Sequence, residues 1–394
     1  MIAAVNNRAR RFCPNVFLFA CLSFSFPPAT LWAQTGAASA ASLTTGPKPP
    51  DVPGEWKQLV GIYGKPKGAN ITILERGGQL FIIAPFLQSG DNLEIPVQDY
   101  KDREISFSTS GGTVQKLVKF TDSAKNVTSL SLIRPPSGQS RTSANTHSIY
   151  RLDEPVSFSR ADAGPDAAHF YHVTPARPMS ELREKALELT PPVEVGPFRE
   201  PDLVELATLG PAFHLDIRYA NSNNFLSTPV YTQARAFLQR PAAEALVRVQ
   251  QKLQPLGYGL LIHDAYRPWY VTKIFWEATP PAGKIFVADP KKGSKHNRGC
   301  AVDLTLYDLS TGRAIEMPGL YDEMSPRSFP TFPGGTSLQR WHRDLLRKAM
   351  ESEAFTVNED EWWHFDYKDW KQYPILNVAF EDLGTLVTPG TAQH

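Results

Sequence analysis

Hydrophobic residues follow two different rhythms along this chain. Between Trp56 and about Leu152 they come in short alternating runs cut by turn residues. Ile71-Thr72-Ile73-Leu74, the turn Arg76-Gly77-Gly78-Gln79 and Leu80-Phe81-Ile82-Ile83 read together as a hairpin. Glu104 to Ser108, Val114 to Phe120 and Ser129 to Ile133 repeat the alternation. About six to eight short strands packed so closely predict a small antiparallel barrel or sandwich over residues 54–153.

From about residue 200 the rhythm changes. Pro241 opens a helix on which Leu246, Val249, Leu253 and Leu256 recur at helical spacing until Gly257 ends it. Tyr258 to Ile262 then reads as a buried strand. Ser337 is expected to cap a further helix that carries Leu338, Trp341, Leu345 and Ala349 on one face. From Cys300 to Leu306 the residues alternate as a strand. Cys300, Val302, Leu304 and Leu306 form its apolar face, and Asp303 points off that face. Helices and strands without a regular βαβ order predict an α+β domain over residues 200–385. Residues 154–199 read as a linker around one amphipathic stretch, Met179 to Leu189, and residues 386–394 as a tail.

Upstream of both regions, Arg8, Arg10 and Arg11 precede the apolar run Val16 to Phe26, which Pro27 and Pro28 break. This is signal-peptide architecture over residues 1–33, and the run is too short to span a membrane. The chain is therefore expected to be exported, periplasmic or secreted. Leu18-Phe19-Ala20-Cys21 approaches a lipoprotein box, but Phe19 fits it poorly and the apolar stretch runs past Cys21. Residues 34–53, small, polar and proline-rich, read as a flexible spacer.

Composition narrows the picture further. With 42% hydrophobic, 21% charged and 11% aromatic residues the chain is a folded protein, and 34 prolines predict few long helices. Lys plus Arg is 41 and Asp plus Glu 40; removal of the leader leaves 38 against 40. That balance argues against capture of nucleic acid or an anionic membrane surface. Of three cysteines only Cys300 survives such cleavage, so no intramolecular disulfide is possible, and a metal is a candidate source of stability. Cys300 itself reads as a packing residue. Asn70-Ile71-Thr72 and Asn126-Val127-Thr128 match glycosylation acceptors, relevant only in a eukaryotic secretory pathway.

The chemistry is concentrated in Ser294-Lys295-His296-Asn297-Arg298-Gly299-Cys300-Ala301-Val302-Asp303 and in the later Glu361-Trp362-Trp363-His364. A hydrolytic zinc site needs three ligands from His, Asp or Glu, an open position, and a carboxylate outside the ligand set to accept a proton. Two histidines, an aspartate and a spare glutamate meet that requirement. Glu361 and His364 are three apart and would face opposite ways in a regular strand. Both serve one ion only if the backbone bends or Glu361 lies before the strand. Trp362 and Trp363 read as walls of the site, and His263 and His342 have no partner pattern.

Ser-x-His-x-x-Gly-x-Ala-x-Asp followed by Glu-x-Trp-His resembles the zinc D-Ala-D-Ala peptidases, whose fold is shared with lysostaphin-type endopeptidases and the hedgehog signalling domain. The finer resemblance is to the D-alanyl-D-alanine dipeptidases of vancomycin resistance and wall recycling. Arg218-Tyr219-Ala220, Asn223-Asn224-Phe225, Pro229-Val230-Tyr231 and Asp264-Ala265-Tyr266-Arg267-Pro268 precede the two zinc motifs in the order that family shows. The similarity covers roughly residues 200–380. It implies a central antiparallel sheet with flanking helices, one zinc ion held by His296, Asp303 and His364, and Glu361 as general base and then general acid. Arg267 would stabilise the oxyanion, Asp322 would hold the substrate's free amino group, and Ser294, Tyr219 and Tyr231 would line the pocket. The sequence departs from the family at Ser227, where glycine is usual, and in a shorter spacing before Tyr231.

The implied activity is hydrolysis of D-Ala-D-Ala or a closely related dipeptide to free amino acids. Two alternatives stand beside it. One is a peptidoglycan D,D-carboxypeptidase or endopeptidase acting on stem peptides, which export favours. The other is a catalytically silent, zinc-stabilised binding module, which would not need Glu361 or Arg267. The β-rich region carries no cluster of titratable groups that reads as catalytic, and is expected to be an accessory domain.

Overall fold

The computed structural model describes residues 43, 46–64, 70–85, 94–108, 114–121, 127–133, 156–159, 173–210 and 213–384. The leader, Cys13, Cys21, Asn126 and the tail lie outside the described residues. No helix among the described residues is long and apolar enough to cross a membrane.

A short helix α1 (Gly54–Leu59) leads into eight strands. These are β1 (Gly61–Gly64), β2 (Asn70–Arg76), β3 (Gln79–Ile83), β4 (Ile95–Lys101), β5 (Glu104–Ser108), β6 (Val114–Thr121), β7 (Val127–Ile133) and β8 (Val156–Ser159). Each pairs antiparallel with the next, giving one eight-stranded meander. Its first and last strands come within 8 Å of each other between Cα atoms, so the sheet curls towards closure. Alternate residues such as Ile71, Ile73, Ile82, Ile105, Phe107 and Leu117 fill a core of its own. The sheet runs beyond residue 153 because β8 falls within the stretch expected to be linker.

The second layer system begins with helix α2 (Met179–Leu187) and the strands β9 (Leu203–Glu205), β10 (Phe213–Leu215) and β11 (Phe237–Gln239). It continues through α3 (Arg240–Leu253), β12 (Tyr258–Asp264), α4 (Trp269–Ala278), β13 (Ala301–Asp308), α5 (Ser337–Glu351), β14 (Phe355–Val357) and β15 (His364–Tyr367). The architecture is α+β: a five-stranded sheet in the order β10-β12-β13-β15-β14 with helices packed on it. The sheet is antiparallel except at one edge, where β10 runs parallel to β12. Strand β13 is buried from Ala301 to Tyr307 on both faces, not only on the Cys300–Leu306 face.

Two further expectations change. The cap of α5 is Thr336, with Ser337 already helical. The Thr336 side chain accepts from Gln339 N and the Gln339 side chain accepts from Thr336 N, a reciprocal capping box. Residues 46–53, expected in a flexible spacer, lie against the second region. Gly46 O accepts from Trp341 Nε1 at 3.3 Å, Lys48 lies over the Tyr258 ring, and Leu43 and Val52 are buried.

The meander is anchored to the same helix. The β2–β3 turn meets the N-terminus of α5, where Gly77 N donates to Ser337 Oγ at 2.9 Å and Ser337 N donates to the Glu75 carboxylate. Arg340 Nη2 closes the contact on Glu75 O at 2.8 Å. A buried carboxylate at a helix N-terminus is favourably placed against the orphan N–H groups there.

Candidate metal and active site

Cross-strand register brings the chemistry together. Asp303 on β13 is directly opposite His364, the first residue of β15, so the two side chains share a face. A bulge in β12 between Ile262 and Asp264 shifts the pairing so that Asp264 also faces Asp303. His296 arrives from a single 3₁₀ turn, His296–Arg298, before β13. Gly299 ends that turn at φ +66°, a left-handed backbone that favours glycine, and a Cβ there would displace the end of the Leu203 side chain, 2.5 Å away.

His296, Asp303 and His364 converge, all buried. His296 Nε2 is 3.1 Å from His364 Nδ1 and 3.3 Å from Asp303 Oδ1, and His364 Nδ1 is 3.1 Å from the same oxygen. Tetrahedral ligands with bonds of about 2.0–2.1 Å stand roughly 3.3–3.4 Å apart, so this triangle has the size of a zinc site's ligand face. The far nitrogens are fixed. His296 Nδ1 donates to Ala265 O at 2.6 Å, and His364 Nε2 donates to Asp366 Oδ1 at 2.9 Å, leaving the near nitrogens as lone-pair donors. Lys295 Nζ holds Asp366 in turn at 2.5 Å.

Charge supports the same fit. Asp303 Oδ1 is buried with no hydrogen-bond partner. Burial would raise the Asp303 pKa, but the two imidazoles outweigh it and hold the carboxyl well below its usual range. His364 goes the other way: burial opposes its charge, yet the Asp303 and Asp366 carboxylates beside it raise it to about 10. The pocket demands positive charge among these three side chains, and a divalent cation meets that demand.

Around the triad lies a cavity of about 370 Å³, whose lining includes Arg267, Ser294, Asp322, Glu361 and Trp363. Glu361 sits in the turn before β15, the bent geometry its spacing required. Its Oε2 is 3.7 Å from His364 Nδ1 and accepts from Asn358 Nδ2 at 3.1 Å. Burial pushes its pKa up to about 7. Arg267 is held by Asp264 Oδ2, from Nε at 3.0 Å and Nη2 at 2.8 Å, and lies over the rings of Tyr219 and Phe275. Asp322 adopts φ +60° and receives the Tyr219 hydroxyl at 3.1 and 3.2 Å on its two oxygens. Burial, then the nearby Asp303 and Glu361 carboxylates, push its pKa well above the ordinary value.

Ser294 and Tyr219 line the cavity, but Tyr231 does not. The Tyr231 hydroxyl donates to Asp264 Oδ1 at 2.7 Å, so it supports the carboxylate that holds Arg267 instead of meeting a ligand. Trp363 is a wall, whereas Trp362 lies outside the lining and packs edge-on against it at 5.5 Å between ring centres. Cys300 is fully buried, and burial raises its thiol pKa to about 12, as expected of a packing residue.

Sequence reading missed the groups that orient the others: Asp366, Asp264, Asn358 and Tyr321. Asp366 had a usable signal, since residues two apart on a strand share a face and it follows His364 by two.

Residues 199–381 match the family model described as D-ala-D-ala dipeptidase. The chain is 35% identical over 193 residues to the D-alanyl-D-alanine dipeptidase of Escherichia coli, spanning 49% of this chain and 96% of that protein. It is 36% identical over 186 residues to the D-alanyl-D-alanine dipeptidase of Enterococcus faecalis, spanning 42% and 90%. A third such dipeptidase, from Enterococcus faecium, is 33% identical over 180 residues, 40% of this chain and 87% of its own.

Proposed function

The chain belongs to the D-alanyl-D-alanine dipeptidase family, and on that premise we propose that it is an exported zinc peptidase hydrolysing D-Ala-D-Ala or a closely related dipeptide. The observation that carries the reading is one cavity holding a His-Asp-His face, a separate buried glutamate and an amine-seeking aspartate. His296, Asp303 and His364 would hold the ion. Zinc bound there supplies Lewis-acid polarisation of the scissile carbonyl and acidifies water.

The remaining work falls to the chain. Glu361, with a pKa near neutrality, accepts a proton from the attacking water and delivers it to the leaving amine. Arg267, oriented by Asp264, donates to the oxygen on which negative charge develops; such a donor is commonly worth about 10²–10³ in turnover. Asp322 is buried beside two other carboxylates and retains its charge best with a cation against it. A free α-ammonium supplies that cation, while an amide-blocked stem peptide leaves the carboxylate unpaired, which is costly. Ser294 and Tyr219 complete the lining.

The basic and apolar leader over residues 1–33, read as a signal peptide, supports a periplasmic or secreted site of action, on dipeptides released from cell-wall peptidoglycan. We assign residues 199–381 the hedgehog-type fold of the wider family, and residues 54–159 the role of an accessory all-β domain. Glu361→Ala is the test of mechanism: zinc stays bound while kcat falls by about 10²–10⁴. A zinc-loaded variant that turns over dipeptide as the parent does overturns the assignment.

A further inference from the structure

We propose that Tyr321 is a positioning residue that ties the metal-binding carboxylate Asp303 to the turn carrying Asp322. The inference rests on the zinc-dipeptidase reading above and concerns a residue whose type no motif of that reading requires.

Asp303 has two oxygens with different duties. Oδ1 faces both imidazoles, and Oδ2 accepts from the Tyr321 hydroxyl at 3.2 Å, with Arg267 Nη2 at 3.8 Å. A hydroxyl that holds one oxygen decides which oxygen is presented to an ion. The ring is itself fixed. It is 5% exposed, tilted on His263 at 4.7 Å and edge-on to Trp363 at 5.6 Å between centres.

The next residue is Asp322, whose backbone is in the left-handed region at φ +60°. Its turn is closed locally, with Leu320 N donating to Glu323 Oε2 at 2.8 Å and Arg327 Nε to Pro318 O at 2.9 Å. Gly319 permits the close approach, since a Cβ there would stand 2.6 Å from Arg327 O. Two consecutive side chains therefore reach the two halves of the site: Tyr321 to the metal ligand and Asp322 to the place of the ammonium. The ring anchors the turn, and the hydroxyl orients Asp303.

Those two contributions separate experimentally. Zinc affinity is measured by competition with a chromophoric chelator on the full chain, and KM with D-Ala-D-Ala at saturating zinc. Tyr321→Phe keeps the ring and loses only the oxygen, so the zinc Kd weakens about tenfold, the lower end for loss of a ligand's hydrogen-bond partner, while KM holds. Tyr321→Leu removes the ring as well and raises KM in addition. A Tyr321→Phe zinc Kd indistinguishable from the parent's overturns the proposal, as does a parent chain that binds no zinc. Failure of the dipeptide reading looks different: no variant turns over dipeptide, yet the zinc affinities still separate.

Discussion

Ser227 holds φ +55°, a conformation that a side chain with a Cβ adopts only at a cost of roughly 1–2 kcal/mol. It sits in a turn organised by Asn224, whose side chain donates to the carbonyls of Arg218, Asn221 and Thr228 and accepts from Leu226 N. The departure from the family at this position is thus a departure at a left-handed residue. Ser227→Gly is expected to stabilise the chain by roughly 0.5–1 kcal/mol after the extra backbone entropy of glycine is subtracted, read from the urea midpoint. A midpoint that stays put or falls would mean that the hydroxyl contributes more than the strain costs. At this scale the sequence was readable where spacing limits geometry. His296, Asp303, His364 and Glu361 met as their motifs implied, while the partner of Tyr231 was not readable, because burial behind Arg267 depends on how distant segments pack.

Strand register is what turns those motifs into a site. The alternation from Cys300 onward correctly separates Asp303 from the apolar face, but says nothing of which residue will stand across from it. Pairing with His364, and the β12 bulge that aligns Asp264, are properties of the assembled sheet, and neither has a local signature. The parallel edge strand β10 was equally silent, being three residues long. The same geometry makes β15 carry both a candidate ligand and its support, since His364 and Asp366 share a face. Asp366→Ala is expected to weaken zinc binding about 10–100-fold without loss of secondary structure. Unchanged affinity in chelator competition would show that the His364 ring is oriented by other contacts.

Across the whole molecule, the meander and the strap at residues 46–53 converge on α5, and His342 lies at that junction. Its Nε2 accepts from the Tyr258 hydroxyl at 3.0 Å, and Lys48, Asp51, Lys57 and Glu316 surround it. Burial first, then Lys48, lowers its pKa to about 4. Because the folded state binds its proton less tightly than the unfolded one, the stability is complete above about pH 6.5 and is lost as pH falls towards 4. His342→Gln is expected to flatten that part of the stability-versus-pH curve, and a curve of unchanged slope would contradict it. The site described above should prefer a free dipeptide to a longer peptide. D-alanine release by the zinc-loaded chain should be compared between free D-Ala-D-Ala and a stem pentapeptide ending in D-Ala-D-Ala, with a chelator control. Faster, chelator-sensitive release from the free dipeptide is the predicted result; preference for the pentapeptide would contradict the assignment of Asp322 to the ammonium and make the chain a wall carboxypeptidase.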